Sequence, residues 1–256
     1  HIEFSAMAIK LLGPSIDIHC GGVDNMFPHH ENEIAHSECF SGCKFSHHWV
    51  HVEHLLVDHK KMSKSLGNFY TLRDLLAKGY TGPEVRYLLL STHYRTQLNF
   101  TFAGLDAAKA SLQRIEDFIL RLRSIRSSAL SSHLIPEARL NFQKALADDI
   151  NISAALAVLF DLIREANSLI DQQKIGANEA EDLLQLLSDW NQVLAVLPLH
   201  AGLESIPSSL QALLEQRESA RKSKNWPLSD SLRDEILSQG YLIEDTPSGA
   251  RLKRKP

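Results

Sequence analysis

Residues 15–35 read SIDIHCGGVDNMFPHHENEIA, and this stretch carries the signals that set the fold class. Residues 15–19 alternate between polar and apolar types like a short strand, and the small residues at 20–22 are predicted to end it. A helix is predicted over 28–38, because proline suits a first helical turn and no helix breaker follows it. Residues 48–57 alternate again. The order strand, helix, strand indicates an α/β fold.

Beyond Thr71 the pattern becomes helical. Apolar residues recur at helical spacing, which favours an all-α bundle after the α/β part. Helices are predicted over 72–77, 83–91, 104–127, 136–147, 153–170, 178–197, 208–223 and 228–238, and strands over 241–245 and 251–255. The predicted boundaries between units are the polar stretches 124–132 and 199–209. Together these signals predict four parts, 1–60, 61–102, 103–200 and 201–256.

Composition limits the class of protein. The 256 residues carry 27 Lys and Arg against 31 Asp and Glu, a formal charge of −4, so a uniformly basic nucleic-acid binder is excluded. No apolar run approaches the roughly 20 residues of a membrane-spanning helix, and no signal peptide is recognisable, so a cytoplasmic location without membrane contact is expected. The sequence has three cysteines, and this low and odd number excludes a disulfide framework. Because the sequence starts without Met, we expect an N-terminal portion to be missing.

Two side chains in the predicted helix are candidate metal ligands. His29 and Glu33 lie four residues apart, so they share a helix face at a separation that one cation can bridge. A surface hydrogen bond is the alternative, and the spacing does not decide between them. Cys20 lies in the preceding turn and could be recruited, whereas Cys39 and Cys43 are better read as small half-buried apolar residues.

A second candidate site is the loop that contains Lys61, Ser63, Lys64 and Ser65. Two ammonium groups and two hydroxyls suit a polyphosphate, since lysines act as point charges on phosphate oxygens. By composition alone, a solvated basic turn is the favoured interpretation of this loop.

The string Lys61-Met62-Ser63-Lys64-Ser65 is the second signature of class I aminoacyl-tRNA synthetases, and further segments resemble the cysteinyl-tRNA synthetase family. These segments are Ile2-Glu3, Ser5-Ala6-Met7, Asp17-Ile18-His19, Gly21-Gly22, Phe27 to Ala35, His93-Tyr94-Arg95 and Glu244-Asp245-Thr246-Pro247. The resemblance implies the C-terminal half of a Rossmann catalytic domain, a connecting segment with the lysine loop, a helical bundle and a small α+β terminal unit.

The resemblance also implies roles for individual residues. Lys61, Ser63 and Lys64 match the catalytic signature, and Lys64 matches the lysine that binds the phosphates of ATP. His19 and Asp24 match positions that line the amino-acid pocket. Mg²⁺ is expected on the ATP phosphates and needs no protein cage of its own.

In the family a zinc ion binds the substrate thiolate, and two of its ligands match His29 and Glu33. A third ligand is a cysteine where this sequence has Phe4, and the fourth would lie upstream of His1. Phenylalanine has no donor atom, so the sequence predicts weak zinc binding or none. A second departure is Cys20, where the family has glycine.

The terminal unit resembles the anticodon-binding region of the family. The residues expected to contact tRNA are Arg217, Arg221, Lys224, Trp226 and Arg233. The implied reaction consumes ATP and joins cysteine to tRNA(Cys) through a cysteinyl-adenylate. The enzyme is expected to be a monomer, and this chain alone is expected to be inactive. Two alternatives stay open, a non-catalytic tRNA-binding fragment or paralogue, and a cysteine ligase of the mycothiol type, which would lack a tRNA-reading unit.

Overall fold

The computed structural model describes residues 1–127, 134–200, 207–246 and 249–254. It divides into two compact units, His1–Leu199 and His200–Pro256. The predicted boundaries at 124–132 and 199–209 lie partly outside the described residues, as does Lys255 of the last predicted strand. The four-part division proposed from sequence therefore stays a prediction.

The first part is a strand, helix, strand unit preceded by one helix. Its elements are α1 (Ile2–Leu12), β1 (Ile16–Gly22), α2 (Glu31–Ser41) and β2 (Ser46–Val52). β1 and β2 pair in parallel, with His19 opposite Trp49 and Gly21 opposite His51. A parallel pair requires a crossover connection, which α2 provides. This arrangement confirms the α/β class predicted for the beginning of the chain.

Three details of the predicted elements were wrong. β1 continues through Gly22, because residues 20–22 keep their pairing with β2. α2 begins at Glu31, after a single π-helical turn over Met26–His30. Phe27 in that turn is extended, with φ −135° and ψ 134°, as expected for a residue that precedes proline. The predicted strand 48–57 is two strands, because residues 53 and 54 leave the first sheet before a second sheet begins.

The connecting part holds a small second sheet and two helices. Its elements are β3 (Leu55–Val57), β4 (Lys60–Lys61), α3 (Leu72–Ala77), α4 (Gly82–Leu90) and β5 (Leu98–Phe100). β3 lies in the centre, antiparallel to β4 and parallel to β5. Thr71 and Thr81 each form a capping box at the start of a helix, which is why α3 and α4 start sharply. The lysine loop begins at Lys61, the last residue of β4.

Four helices form a bundle, as predicted. They are α5 (Phe102–Ser124), α6 (Leu134–Ala147), α7 (Ile152–Asp171) and α8 (Ala177–Leu194). Their apolar faces supply fully buried residues such as Ile115, Leu159 and Leu183. Asn151 caps α7 through the amide of Ala154, which selects it over Asp149, the other predicted start residue.

The second unit consists of α9 (Ser208–Lys222), α10 (Trp226–Ser238) and an antiparallel hairpin of β6 (Tyr241–Thr246) and β7 (Gly249–Arg254). Leu210, Ile236 and Leu252 form its core, and Tyr241 packs against them. None of the helices in the described ranges combines the length and apolarity that a bilayer span requires.

Candidate functional site

Histidine side chains from three elements meet at the carboxyl end of the parallel sheet. His19 is on β1, His51 is on β2, and His30 ends the π-helical turn that precedes α2. Residues 19 and 21 share one face of β1, and their register partners Trp49 and His51 share the same face of β2. Ligands of open α/β sheets bind at this edge, so the fold presents these side chains where a ligand site is expected.

Glu33 on α2 is the acidic centre of this group. Its side chain is 3 % exposed, and its Oε2 lies 2.7 Å from Nε2 of His19. Its Oε1 lies 3.8 Å from Nε2 of His29. The predicted pair of His29 and Glu33 is therefore brought together, and His19 is brought closer to the carboxylate than His29 is.

His30 is a buried member of the group that the sequence reasoning missed. Its Nδ1 lies 2.8 Å from Nε2 of His51, and its ring lies 4.7 Å from that of His19 between centroids. A Cβ atom at position 21 would lie 2.5 Å from Cε1 of His30, so glycine is required at Gly21 for this approach. The sequence signal that could have found this group is the alternation along β2, which places Trp49 and His51 on one face, together with the two consecutive glycines Gly21 and Gly22.

These donors match a metal site in kind. Nitrogen and oxygen ligand atoms of His19, His30 and Glu33 lie within 4.8 Å of one another. Imidazole and carboxylate are zinc ligands, so the residues present fit that ion. Cys20 is exposed and occupies the strand position next to His19, which turns it to the opposite face and removes it as a substitute ligand. Cys39 and Cys43 are also exposed, so their half-buried interpretation was wrong.

Phe4 lies beside the predicted ligand His29. The two ring centroids are 5.1 Å apart, and His1 contacts the same histidine, with its Nδ1 2.7 Å from Nδ1 of His29. Position 4 therefore faces the cluster although phenylalanine cannot ligate a metal. Asp24 lies in the exposed turn after β1.

Burial lowers the pKa of His30, with the neighbouring His19 as the second cause. The unfolded chain then binds a proton at a higher pH than the folded chain, so stability falls as pH drops below about 6.5 toward the folded pKa. We expect urea midpoints of the metal-free chain to decrease between about pH 7.5 and pH 5.5, and His30→Gln to flatten that decrease. His36→Gln, which removes an exposed histidine on α2, should keep the slope of the unmodified chain. An unchanged slope in His30→Gln would contradict this assignment.

The lysine loop is held by one asparagine. Asn68 accepts the amide of Ser63 through Oδ1 at 2.9 Å and donates through Nδ2 to the carbonyl of Lys61 at 3.1 Å. Oγ of Ser63 accepts the amide of Leu66 at 3.2 Å. These bonds shape the backbone while the lysine side chains stay exposed.

Both charged side chains of the loop are available to a ligand. Lys61 and Lys64 are exposed, and Nζ of Lys64 lies 5.6 Å from the ring centroid of Phe69. A cation over an aromatic ring at an exposed site is weakly held, so it can exchange that contact for a phosphate oxygen. The arrangement is suited to meeting negative charge.

The five residues expected to contact tRNA differ in exposure. Trp226 is 56 % exposed at the start of α10. Lys224 and Arg233 are also exposed, and Arg221 is half-buried. Arg217 is buried on α9, where its Nη1 lies 3.4 Å from Oε1 of Glu218. Exposure therefore favours the first three as contacts of an external ligand.

Comparisons with known proteins cover nearly the whole chain. The model of the class I (C) tRNA synthetase catalytic domain matches residues 1–110, the DALR domain matches 141–198, and the anticodon binding domain of cysteinyl-tRNA ligase matches 203–251. A cysteine-tRNA ligase of Protochlamydia amoebophila is 57 % identical over 100 % of this chain and 54 % of its own length. One of Chlamydia abortus is 54 % identical over 99 % of this chain and 54 % of its own length.

This chain thus spans about half the length of the curated relatives it matches. A solved ternary LeuRS-tRNA-LeuAMS complex from Agrobacterium radiobacter K84 is similar in fold, with a TM-score of 0.51 and 20 % identity. The similarity covers 67 % of this chain and 25 % of that chain. It supports the class of fold alone.

Proposed function

Because the chain belongs to the cysteinyl-tRNA synthetase family, we propose that it serves the ATP-dependent attachment of cysteine to tRNA(Cys) through a cysteinyl-adenylate. The observation that carries the proposal is the presence of two complementary sites in one unit. One is the histidine and glutamate group at the sheet edge, and the other is the exposed lysine loop. The first suits a small thiol amino acid and the second suits a triphosphate.

In the first step the cysteine carboxylate attacks the α-phosphorus of ATP, and the bond to the β-phosphate oxygen breaks to release pyrophosphate. Lys64 supplies a positive charge to the leaving pyrophosphate, while Ser63 and Asn68 fix the backbone that carries it. Lys61 has a smaller part, because it belongs to the paired strand β4 at the base of the loop. Mg²⁺ is held by the phosphates themselves.

In the second step a hydroxyl of the terminal adenosine of tRNA attacks the cysteinyl carbonyl, and AMP leaves. His19 and Asp24 are the proposed amino-acid contacts. The family match of residues 203–251 supports the second unit as the reader of tRNA, with Lys224, Trp226 and Arg233 as the exposed contacts.

His29 and Glu33 would hold zinc, and His19 and His30 are further donors close to Glu33. A bound zinc ion would favour a soft thiolate over the neutral hydroxyl of serine, which explains selection without editing. The protein itself orients the ligand, because His19 lies 2.7 Å from the carboxylate of Glu33 and fixes its position.

Cysteine-dependent exchange of pyrophosphate into ATP, followed by charging of tRNA(Cys), tests the proposal on the full-length protein. We expect both activities with cysteine, and a lower exchange rate with serine. Binding of tRNA without exchange would support the non-catalytic alternative. Exchange without any tRNA charging would support the mycothiol-type ligase, which the match to an anticodon-binding domain disfavours.

Phe4 yields a prediction about zinc. A tetrahedral zinc site normally takes at least three protein ligands, and position 4 offers none. His19 already contacts Glu33 and His30 already contacts His51, which leaves His29 and Glu33, so this chain should release zinc under mild chelation. Phe4→Cys should raise the zinc content toward one equivalent, because position 4 lies beside His29. The full-length Phe4→Cys protein should also discriminate cysteine from serine more strongly. Elemental analysis and the two exchange rates measure this.

Phe4→Ser is the matched control, because it creates the same space with a poor ligand. If Phe4→Ser raises zinc content as much as Phe4→Cys, removal of the ring and not ligation is responsible. If the unmodified chain keeps one equivalent of zinc through chelation, its histidines and Glu33 suffice and the prediction is wrong.

A further inference from the structure

Asp149 in the helical bundle is hydrogen-bonded to residues 93–95, which lie outside the bundle. Asp149 lies in the turn between α6 and α7, and its carboxylate accepts the hydroxyl of Tyr94 at 2.6 Å. Nε of Arg95 donates to its Oδ2 at 2.6 Å, and Nη2 donates to its Oδ1 at 3.3 Å. Its backbone carbonyl accepts Nε2 of His93 at 3.0 Å. We call residues 93–95 together with Asp149 the latch.

The contacts of the latch are mutually supporting. Nδ1 of His93 accepts the amide of Arg95 at 3.2 Å while its Nε2 donates to Asp149, so one neutral tautomer satisfies both bonds. Nε of Arg95 also lies 3.0 Å from the hydroxyl of Tyr94. A side-on guanidinium and a phenol on one carboxylate give a defined geometry, which a single flexible ion pair does not.

The turn that carries Asp149 has a conformation that needs support. Asp149 and Ile150 are both left-handed, with φ of 53° and 56°. That region is unfavourable for a β-branched residue such as Ile150, which is also 52 % exposed and so gains little from burial. Such a conformation persists where surrounding contacts determine it. The amides of Ile150 and Asn151 bond to carbonyls of α6, and the latch adds the contacts to the side chain of Asp149.

On its other side the latch contacts the segment that leads from β2 toward the lysine loop. The carbonyl of Tyr94 accepts the amide of Glu53 at 2.8 Å, directly after β2. Three residues beyond the latch, β5 begins and pairs with β3. Asn99 of β5 accepts the amide of His59 at 2.7 Å and contacts the His59 ring at 3.1 Å.

This second connection also holds an unusual turn. Asp58 and His59 are left-handed, with φ of 48° and 61°, and they lead through β4 into Lys61. One set of hydrogen bonds therefore joins the bundle to residues 93–95, and a second joins Asn99 to the start of the lysine loop, with the backbone of residues 96–98 between the two sets.

The geometry points to Asp149 as a positioning residue that fixes the lysine loop from the bundle, an inference that rests on the proposed role of that loop in adenylate formation. Asp149 touches no reacting atom in this scheme. Its carboxylate fixes the position of residues 93–95, and these residues lead directly into β5. Asn99 of β5 in turn holds the backbone of the turn before Lys61. The position of the bundle thereby biases the conformation of the loop.

A purely stabilising role explains the latch poorly. Arg95 and Asp149 are 64 % and 45 % exposed, and ion pairs in such positions contribute little to stability. The hydrogen bonds from Arg95, followed by the one from Tyr94, lower the pKa of Asp149, so the carboxylate stays ionised throughout the neutral range. These contacts fix the position of residues 93–95 more than they raise the stability of the fold.

Hydrogen exchange of the 256-residue chain tests the inference without any enzymatic assay. Asp149→Ala should raise amide exchange across residues 58–68 by roughly threefold or more, because the turn before the loop loses its distant support. Asp149→Asn keeps one acceptor oxygen but no charge and should have an intermediate effect. Tyr94→Phe removes a single hydroxyl and should change exchange in the same direction, which keeps the test available if the alanine variant folds poorly.

Asp189→Ala is the matched control. It removes another exposed ion pair of the bundle, the 2.9 Å contact with Arg139 between α6 and α8. Exchange across 58–68 should stay at the unmodified rate in this variant. If Asp149→Ala raises exchange only in α6 and α7, or if Asp189→Ala changes the loop equally, the inference is overturned.

In the full-length protein Asp149→Ala should lower kcat of cysteine-dependent pyrophosphate exchange about tenfold and leave KM for cysteine unchanged, because the loop and not the amino-acid site is displaced. A rise in KM for cysteine with constant kcat would contradict this role. If the unmodified protein lacks exchange activity altogether, the proposed function fails while the hydrogen-exchange result still decides the coupling.

Discussion

Replacing Lys64 with alanine in the full-length protein is expected to slow pyrophosphate exchange by about a hundredfold or more, the size associated with losing one preorganised charged donor. That factor corresponds to about 2.7 kcal/mol of transition-state stabilisation. The reason is the charge that builds on the leaving pyrophosphate, which the exposed ammonium can meet when it leaves Phe69. Steady-state exchange rates at saturating cysteine and ATP measure the effect.

The chain offers a matched control for this experiment. Lys78 is also an exposed lysine over an aromatic ring, with its Nζ 5.4 Å from the ring centroid of Phe102, but it lies outside the loop. Lys78→Ala should therefore leave exchange nearly unchanged, and Lys61→Ala should have an effect between the two. An exchange rate in Lys64→Ala equal to that of Lys78→Ala would remove Lys64 from the mechanism.

Deleting residues 208–256 is expected to abolish most tRNA charging while pyrophosphate exchange persists. The deleted part belongs to a compact unit with its own core of Leu210, Ile236 and Leu252, so its removal takes away a separately packed core. Loss of even two base or phosphate contacts, at about 1–3 kcal/mol for a stacked base, would reduce kcat/KM for tRNA by about a hundredfold. Parallel exchange and charging assays separate the two activities.

Point variants sharpen the interpretation of the deletion. Arg233→Ala should weaken tRNA binding and reduce the steepness of its salt dependence by about one phosphate contact. Trp226→Ala should weaken binding with little change in salt dependence, because stacking involves no counterion release. If exchange falls as far as charging after the deletion, the unit has a structural role and the assignment to tRNA reading is wrong.

The sequence alone was sufficient for elements whose signals are local. The helices of the bundle follow from apolar residues at helical spacing, and the predicted 72–77 helix starts where it is observed to start because Thr71 and Asp74 form its capping box. The family resemblance, carried by the signature around Lys61 and Lys64, is likewise a property of consecutive residues. Such signals need no knowledge of distant contacts.

Boundaries that depend on pairing were predicted less well. Gly21 and Gly22 looked like a strand end, yet they remain in β1, because β2 supplies their hydrogen bonds. The single predicted strand over 48–57 divides, because its two halves find partners in different sheets. The local alternation of polar and apolar residues does not show which distant segment a strand will pair with.

The sequence by itself determined the class of fold, the lysine loop, and the pair of His29 and Glu33, since each rests on neighbouring residues or helical spacing. Only the tertiary structure decided that His19 approaches Glu33 more closely than His29, that His30 and His51 join the group, and that Asp149 meets 93–95. These residues are separated by 14 to 56 positions, and their side chains meet because parallel strands and packed helices bring distant segments together. Spacing along a chain fixes which residues share a face, whereas packing fixes which faces meet.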